Sequence, residues 1–169
     1  MFEPEEREAA MAPTLQDRPD VAVFSEIGVI EHLIRQSVVR HLPSGMTFAH
    51  FELLQHFVRN GDGQTPAELA REMMLSKAAL TNILQKMSEL GLVVVLADVA
   101  DGRKKRVRLS RTGLERHAEV LKAMKWKMDL LREGFTDAEF RQALPFLRNL
   151  RVFLEEVSAG PAPEASIRP

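Results

Sequence analysis

Apolar side chains recur at spacings of three and four along most of this 169-residue chain, the period of helices with one covered face. Val23, Ile27, Ile30, Ile34 and Val38 predict a first helix that ends near His41, ahead of Pro43-Ser44-Gly45. Phe48, Phe51, Leu54, Phe57 and Val58 give a second helix a broad apolar face, and Asn60-Gly61-Asp62-Gly63 closes it with turn residues. Thr65-Pro66-Ala67-Glu68 then reads as a capping box with Pro at the first helical position. The short helix it opens has Leu69, Ala70 and Met73 facing inward, and Ser76 is placed to cap the next. In that next helix Leu80, Ile83, Leu84, Met87 and Gly91 share one stripe, while Ala78, Thr81, Asn82, Gln85 and Lys86 face the other way.

Beyond Gly91 the period changes. Leu92-Val93-Val94-Val95-Leu96, a polar turn over Asp98 to Gly102 and the alternating Arg106-Val107-Arg108-Leu109 predict a β-hairpin. Alternation places Lys104, Arg106 and Arg108 on one face of the return strand, with Val107 and Leu109 on the other. The first strand is apolar throughout and leaves no polar face. Ser110 is placed to cap a long helix in which Leu114, His117, Leu121, Met124, Met128, Leu131 and Phe135 alternate three and four. A second capping box, Thr136 to Glu139, opens a last helix with Phe140, Ala143, Leu147, Leu150, Leu154 and Val157 at the same spacing. Pro145 lies inside it and is expected to kink it near Arg141 to Leu144.

Composition narrows the class. A 45% hydrophobic, 28% charged chain without an eighteen-residue apolar run is an ordinary globular protein, expected in the cytoplasm with no membrane partner. With no cysteine, disulfides, thiolate metal sites and thiol nucleophiles are excluded. The formal net charge of −1 conceals an asymmetry: residues 1–31 carry eight acidic side chains against two arginines, whereas residues 101–111 carry six Lys or Arg against one Asp. The expected organisation is a disordered acidic tail (1–20), an N-terminal helix (21–45), a central domain (46–110), two C-terminal helices (111–158) and a disordered tail rich in Pro and small residues (159–169).

Helix, tight turn, helix and basic hairpin in that order make a winged helix-turn-helix, mainly α with a small β-wing. An α-helix fits the major groove, and Ser76, Lys77, Ala78, Thr81, Asn82, Gln85 and Lys86 offer it hydroxyl, amide, cationic and small groups. Arg103 at the hairpin tip is placed to enter a narrow minor groove, with Asp101 as an orienting partner, and Lys104, Arg106 and Arg108 add cations for phosphates.

From Met46 to Gly113 the chain resembles the MarR (multiple-antibiotic-resistance regulator) family of bacterial transcription factors. The resemblance lies in TPAELAREMMLSKAALTNILQKMSELGLV and in DVADGRKKRVRLSRTG, which are similar to the family's recognition helix, its Asp-x-Arg wing tip and its closing Leu-Ser/Thr-x-x-Gly. It implies a homodimer on a pseudo-palindromic operator, interlocked through its first and last two helices, often released by a small-molecule ligand. Repression is the implied direction. By that analogy Asp101 and Arg103 are the wing-tip pair, and Val23, Ile27, Leu147, Leu150 and Leu154 are buried in the dimer. The chain departs from the family where it has Val95, Leu96 and Asn82, positions that are often basic; the Lys104-Lys105-Arg106 run is the compensating charge.

Other readings stand beside this one. The three-four seams also fit intramolecular core, and the apolar first strand also fits a winged-helix protein-interaction module or antirepressor. Histidines at 32, 41, 50, 56 and 117 invite a metal-sensor reading, although no two are spaced i, i+4. His117, on a seam, is expected to make assembly pH-sensitive if buried. Nucleotide-binding, metalloprotease and nucleophile-elbow motifs are missing, so catalysis is not expected, nor is a cofactor. Trp126, Met124, Met128, Phe24, Phe48 and Phe51 are candidates to line a cavity for an effector whose identity no residue indicates.

Overall fold

The computed structural model describes residues 18–159. Among these, the order is α1 (Pro19–Val39), α2 (Phe48–Asn60), α3 (Pro66–Glu72), α4 (Lys77–Glu89), β1 (Val93–Ala97), β2 (Lys105–Leu109), α5 (Arg111–Gly134) and α6 (Asp137–Ala159). The fold is mainly helical with one two-stranded antiparallel sheet, a winged helix-turn-helix flanked by further helices. Pro19 and Asp20, assigned above to the acidic tail, are already helical, because Pro at the first turn needs no backbone donor. Residues 1–17 and 160–169, where most of both expected tails fall, lie outside the described residues. The chain divides into two compact units, one reaching Met124 and one beginning at Lys125.

Local chemistry starts the helices of the first unit. Thr65 Oγ1 accepts from the Glu68 amide (3.2 Å) while the Glu68 carboxylate accepts from the Thr65 amide (2.7 Å), the expected capping box. Ser76 Oγ accepts from the Ala79 amide (3.1 Å) and so opens α4. The capping box of α2 is built differently: the Thr47 amide donates to Nδ1 of His50, a residue type outside the usual Glu/Gln pattern. The turn between α3 and α4 passes through Met74 at φ 53°, a left-handed conformation that costs a side-chain-bearing residue about 1 kcal/mol.

The core of this unit joins α2, α3, α4 and the hairpin. Leu53, Leu54, Phe57, Leu69, Leu80, Met87, Leu92 and Val107 are each at most 2% exposed, and burial of each contributes roughly 1.5–3 kcal/mol. A second cluster gathers Val38, Phe51, Val120 and Met124. The face of α5 that enters the unit carries Gly113, His117, Val120 and Met124, not the whole expected seam: Leu114 and Leu121 are about half exposed. Gly113 sits so close to the strand entry that a Cβ there would lie 2.2 Å from the Leu92 carbonyl oxygen and 2.8 Å from Leu109 Cδ1. Ser110 completes this junction, accepting from the Gly113 amide (2.9 Å) and donating to the Gly91 carbonyl (2.6 Å).

The second unit contains the end of α5 and all of α6. Thr136 and Glu139 form the expected capping box, with the Thr136 amide 2.7 Å from the Glu139 carboxylate. Phe135 and Phe140 pack across the turn with ring centroids 6.0 Å apart. The α6 helix runs on through Pro145 without interruption. From Lys125 to Ser158 not one residue is buried.

Candidate nucleic-acid interface

Burial of Leu80, Leu84 and Met87 fixes which way α4 faces, and every groove-facing residue expected on it is exposed: Ser76, Lys77, Ala78, Thr81, Asn82, Gln85 and Lys86. Their side chains are not equally available. Thr81 donates its hydroxyl to the Lys77 carbonyl (2.7 Å), which is helix back-bonding. Glu89, which the sequence pattern did not single out, accepts from Gln85 Nε2 (3.1 Å) and Lys86 Nζ (2.7 Å). Two donors of the helix therefore enter any encounter already engaged by one carboxylate. These are exposed contacts, cheap to exchange for a phosphate or a base.

The wing is held more firmly than an isolated hairpin would be. Antiparallel register pairs Val94 with Arg108 and Leu96 with Arg106, so both arginines share one face. They are not free cations. Arg106 Nε donates to Asp98, and its Nη1 donates to the Gly63 carbonyl (3.1 Å). Arg108 Nη1 donates to Asp62 Oδ1 (2.8 Å), whose other oxygen accepts from the Leu109 amide (2.7 Å). Backbone bonds reinforce the tie: the Gly63 amide donates to the Val107 carbonyl (2.8 Å) and the Val107 amide to the Gln64 carbonyl (3.0 Å). The α2–α3 connection thus lies along the free edge of β2. Gly63, at φ +98°, leaves the room that the Arg108 guanidinium fills; a Cβ would lie 2.8 Å from Nη1.

Asp98 also organises the tip. Its Oδ1 accepts from the amides of Ala100 (2.7 Å) and Asp101 (3.1 Å), and these bonds, after the Arg106 bond, lower its pKa to about 2. Asp101 does not grip the Arg103 guanidinium as expected; its Oδ1 accepts from the Arg103 backbone amide (3.2 Å), and its Oδ2 lies 3.6 Å from Lys104 Nζ. Lys104 belongs to the turn, not to the strand face assigned to it. The pairing preference of that carboxylate follows from the turn, which aims amides inward and lets the Arg103 side chain project. Among the described residues Arg103 and Lys105 have no ion-pair partner, and both are exposed.

Two histidines are buried beside this unit. His117 stacks on Phe51 (ring centroids 5.4 Å apart, 16° between planes) and its Nε2 meets the Gln55 side-chain oxygen. His50 Nδ1 accepts the Thr47 amide, which requires the neutral ring. Burial pushes the pKa of both downward. Among the described residues no group of three His, Asp or Glu stands together as a metal site. Of the expected cavity residues, Phe48 and Phe51 line an open cleft of about 330 Å³ with Glu52, Gln55, His56 and Arg59. Phe24, Trp126 and Met128 are not among its lining residues and are about half exposed.

A recognition-type helix beside an anchored, cation-tipped hairpin defines the winged helix-turn-helix class. Residues 44–104, this part of the chain, match the model of the MarR family, and the chain has that family's winged-helix fold. It is similar to a mutant MarR from E. coli solved in complex with operator DNA (21% identity, TM-score 0.65, covering 79% of this chain and 96% of that one). It is also similar to the transcriptional regulator BldR from Sulfolobus solfataricus (16%, 0.62, 82% and 96%). A third likeness is to the transcriptional regulator PcaV from Streptomyces coelicolor, solved with its natural ligand (15%, 0.62, 83% and 96%). No curated protein matches the chain. No described helix is long and apolar enough to cross a membrane.

Proposed function

We propose that this chain is a bacterial, cytoplasmic transcriptional regulator of the MarR family, not an enzyme, that binds a pseudo-palindromic operator as a homodimer and acts as a repressor. The observation that carries the reading is the pairing of an exposed polar face on α4 with a wing whose tip presents unpaired cations, Arg103 and Lys105, on a hairpin tied down by Asp62 and Asp98. An α-helix meets base edges in the major groove, and the tip reaches the adjacent minor groove. Arg106 and Arg108, cast above as phosphate contacts, serve this reading chiefly by fixing the angle of the wing. Lys77, Lys104, Lys105 and Lys86 supply the phosphate-directed charge.

Dimerisation is supported by the second unit. Leu147 and Leu154 are 43% and 41% exposed in the single chain, and Leu150 is only partly covered. Such a stripe on two long helices needs an apolar partner, and a second copy offers the same stripe. Two recognition helices would then meet half-sites roughly 34 Å apart. Release by a small-molecule effector is part of the proposal; the effector must bind the DNA-competent and incompetent dimers with different affinity.

The test is a salt titration of binding to a duplex from upstream of the chain's own gene, with unrelated DNA as competitor. Specific binding is expected, with a steep salt slope that Lys86→Ala lowers by about one per lost phosphate contact in each half-site, whereas Arg103→Ala weakens binding mainly where the flanking minor groove is narrow. The absence of specific binding at low salt, together with no retention on heparin, would favour the second reading, a protein-interaction module. The observation favouring that reading is the exposed apolar strand, with Val94 45% and Leu96 50% exposed.

A further inference from the structure

The outward stripe of α4 contains one side-chain amide that nothing among the described residues occupies. Opposite Leu80, Leu84 and Met87, helical spacing aligns Ala78, Asn82, Gln85 and Glu89. Gln85 is held by Glu89, Lys86 is paired with the same carboxylate, Thr81 bonds its own helix and Ser76 caps it. Asn82 alone among these polar groups has no hydrogen bond within the described residues, and it is exposed. Its amide offers a donor and an acceptor side by side, complementary to the N7 acceptor and N6 donor that adenine presents in the major groove. Guanine presents two acceptors and suits a guanidinium or an ammonium group; α4 carries no arginine, and of its two lysines Lys77 stands at the first residue and Lys86 is paired with Glu89. One turn earlier, about 6 Å along the axis, Ala78 offers only a methyl group, which fits the thymine C5-methyl.

We propose that Asn82 is the base-reading residue of α4, contacting one adenine in each half-site, with Ala78 against a thymine methyl, so that the operator is A·T at that step. The assignment rests on the DNA-binding reading above and adds what that reading leaves open, the base class that the helix selects. Gln85 and Lys86 act differently in it. Each already has one donor engaged by the Glu89 carboxylate, so they contribute to affinity across sequences more than to choice among them.

The experiment selects binding duplexes from a randomised pool with the full chain, then measures equilibrium binding to the selected duplex and its single-base variants. The wild type is expected to prefer A·T at one position of each half-site by roughly 5- to 100-fold, and 7-deazaadenine at that position should remove most of the preference. Asn82→Ala should flatten it to within about twofold there and leave the other positions unchanged, whereas Gln85→Ala should leave it intact. Asn82→Asp, which keeps the shape and loses the donor, should turn the preference away from adenine. Retention of the adenine preference by Asn82→Ala, or an equal loss on every duplex including random DNA, overturns the assignment while leaving DNA binding in place. A wild-type chain that selects no sequence overturns the DNA-binding reading itself.

Discussion

The two units of this chain contain similar helices and solve the problem of burial in opposite ways. Between Phe48 and Met124 the helices cover one another and the root of the hairpin, and nine large side chains are at most 2% exposed, whereas most of α1 stays exposed. From Lys125 onward Phe135, Phe140, Phe146, Phe153 and Val157 stay half exposed, and none of the described residues is buried. Helical spacing of apolar residues is present in both, so spacing alone does not say whether a stripe meets its own chain. What differs is the presence of a sheet and crossing helices to receive the stripe. The part from Phe48 to Met124 buries its stripes within the single chain; the second unit, and the exposed apolar side chains of α1, call for an apolar partner before they leave water.

That contrast breaks most visibly at the stripe of α6. Leu147→Asp with Leu150→Asp should place two charges in the proposed dimer contact, abolish self-association at micromolar concentration and reduce operator binding with it. The far-ultraviolet signal and melting of the region up to Met124 should survive, since its core is elsewhere. If the double variant still dimerises, the stripe is not the contact. The corresponding insult to the first unit is Gly113→Ala, because the added Cβ meets the backbone oxygen of Leu92. Destabilisation of about 3 kcal/mol is expected from chemical denaturation, with the oligomeric mass unchanged wherever the protein remains folded.

A smaller effect separates the units by pH. His50 and His117 are buried in the first unit with lowered pKa values, so the unfolded chain takes up protons first, near its ordinary value of about 6.5. Their contribution to stability is complete above that pH and falls as the pH drops below it towards the lower folded values. The melting temperature should therefore decline between about pH 6.5 and 5. His117→Phe should reduce that slope, and a flat profile across this range would contradict the packing described. The smallest effect expected is at Met74, where Gly removes left-handed strain: Met74→Gly should stabilise by about 0.5–1 kcal/mol, read from the denaturation midpoint.

The sequence made some of this legible because some of its causes are local. The Thr65–Glu68 and Thr136–Glu139 capping boxes, the Ser76 cap and the inward stripe of α4 depend on residues three or four apart, and each stands where spacing places it. The hairpin followed from the change of period. The state of its cations did not. Arg108 meets Asp62 across 46 residues of chain, and the Gly63 carbonyl that receives Arg106 is 43 residues away. Alternation alone reads both arginines as a free basic face. Gly63 and the adjacent Asp62, taken only as turn residues, were the available hint that the loop returns to the sheet. In α5 two neighbouring apolar stripes are present, and the one containing Gly113 and Val120 enters the core because Gly113 permits close approach to Leu92. Periodicity favours the stripe with larger side chains, and packing here chose the one with the gap. His50 escaped notice as a capping residue because imidazole at that position is outside the carboxylate and amide pattern.

The helices beyond Met124 need cover, and in the proposed dimer they find it in a second copy. Sedimentation equilibrium of the purified chain at micromolar concentration and moderate salt tests this directly. The predicted result is a single species of twice 19.1 kDa. A monomer of 19.1 kDa whose α6 amides are nonetheless protected from hydrogen exchange would contradict it, because those helices would then be stable without the partner that their exposed stripes require.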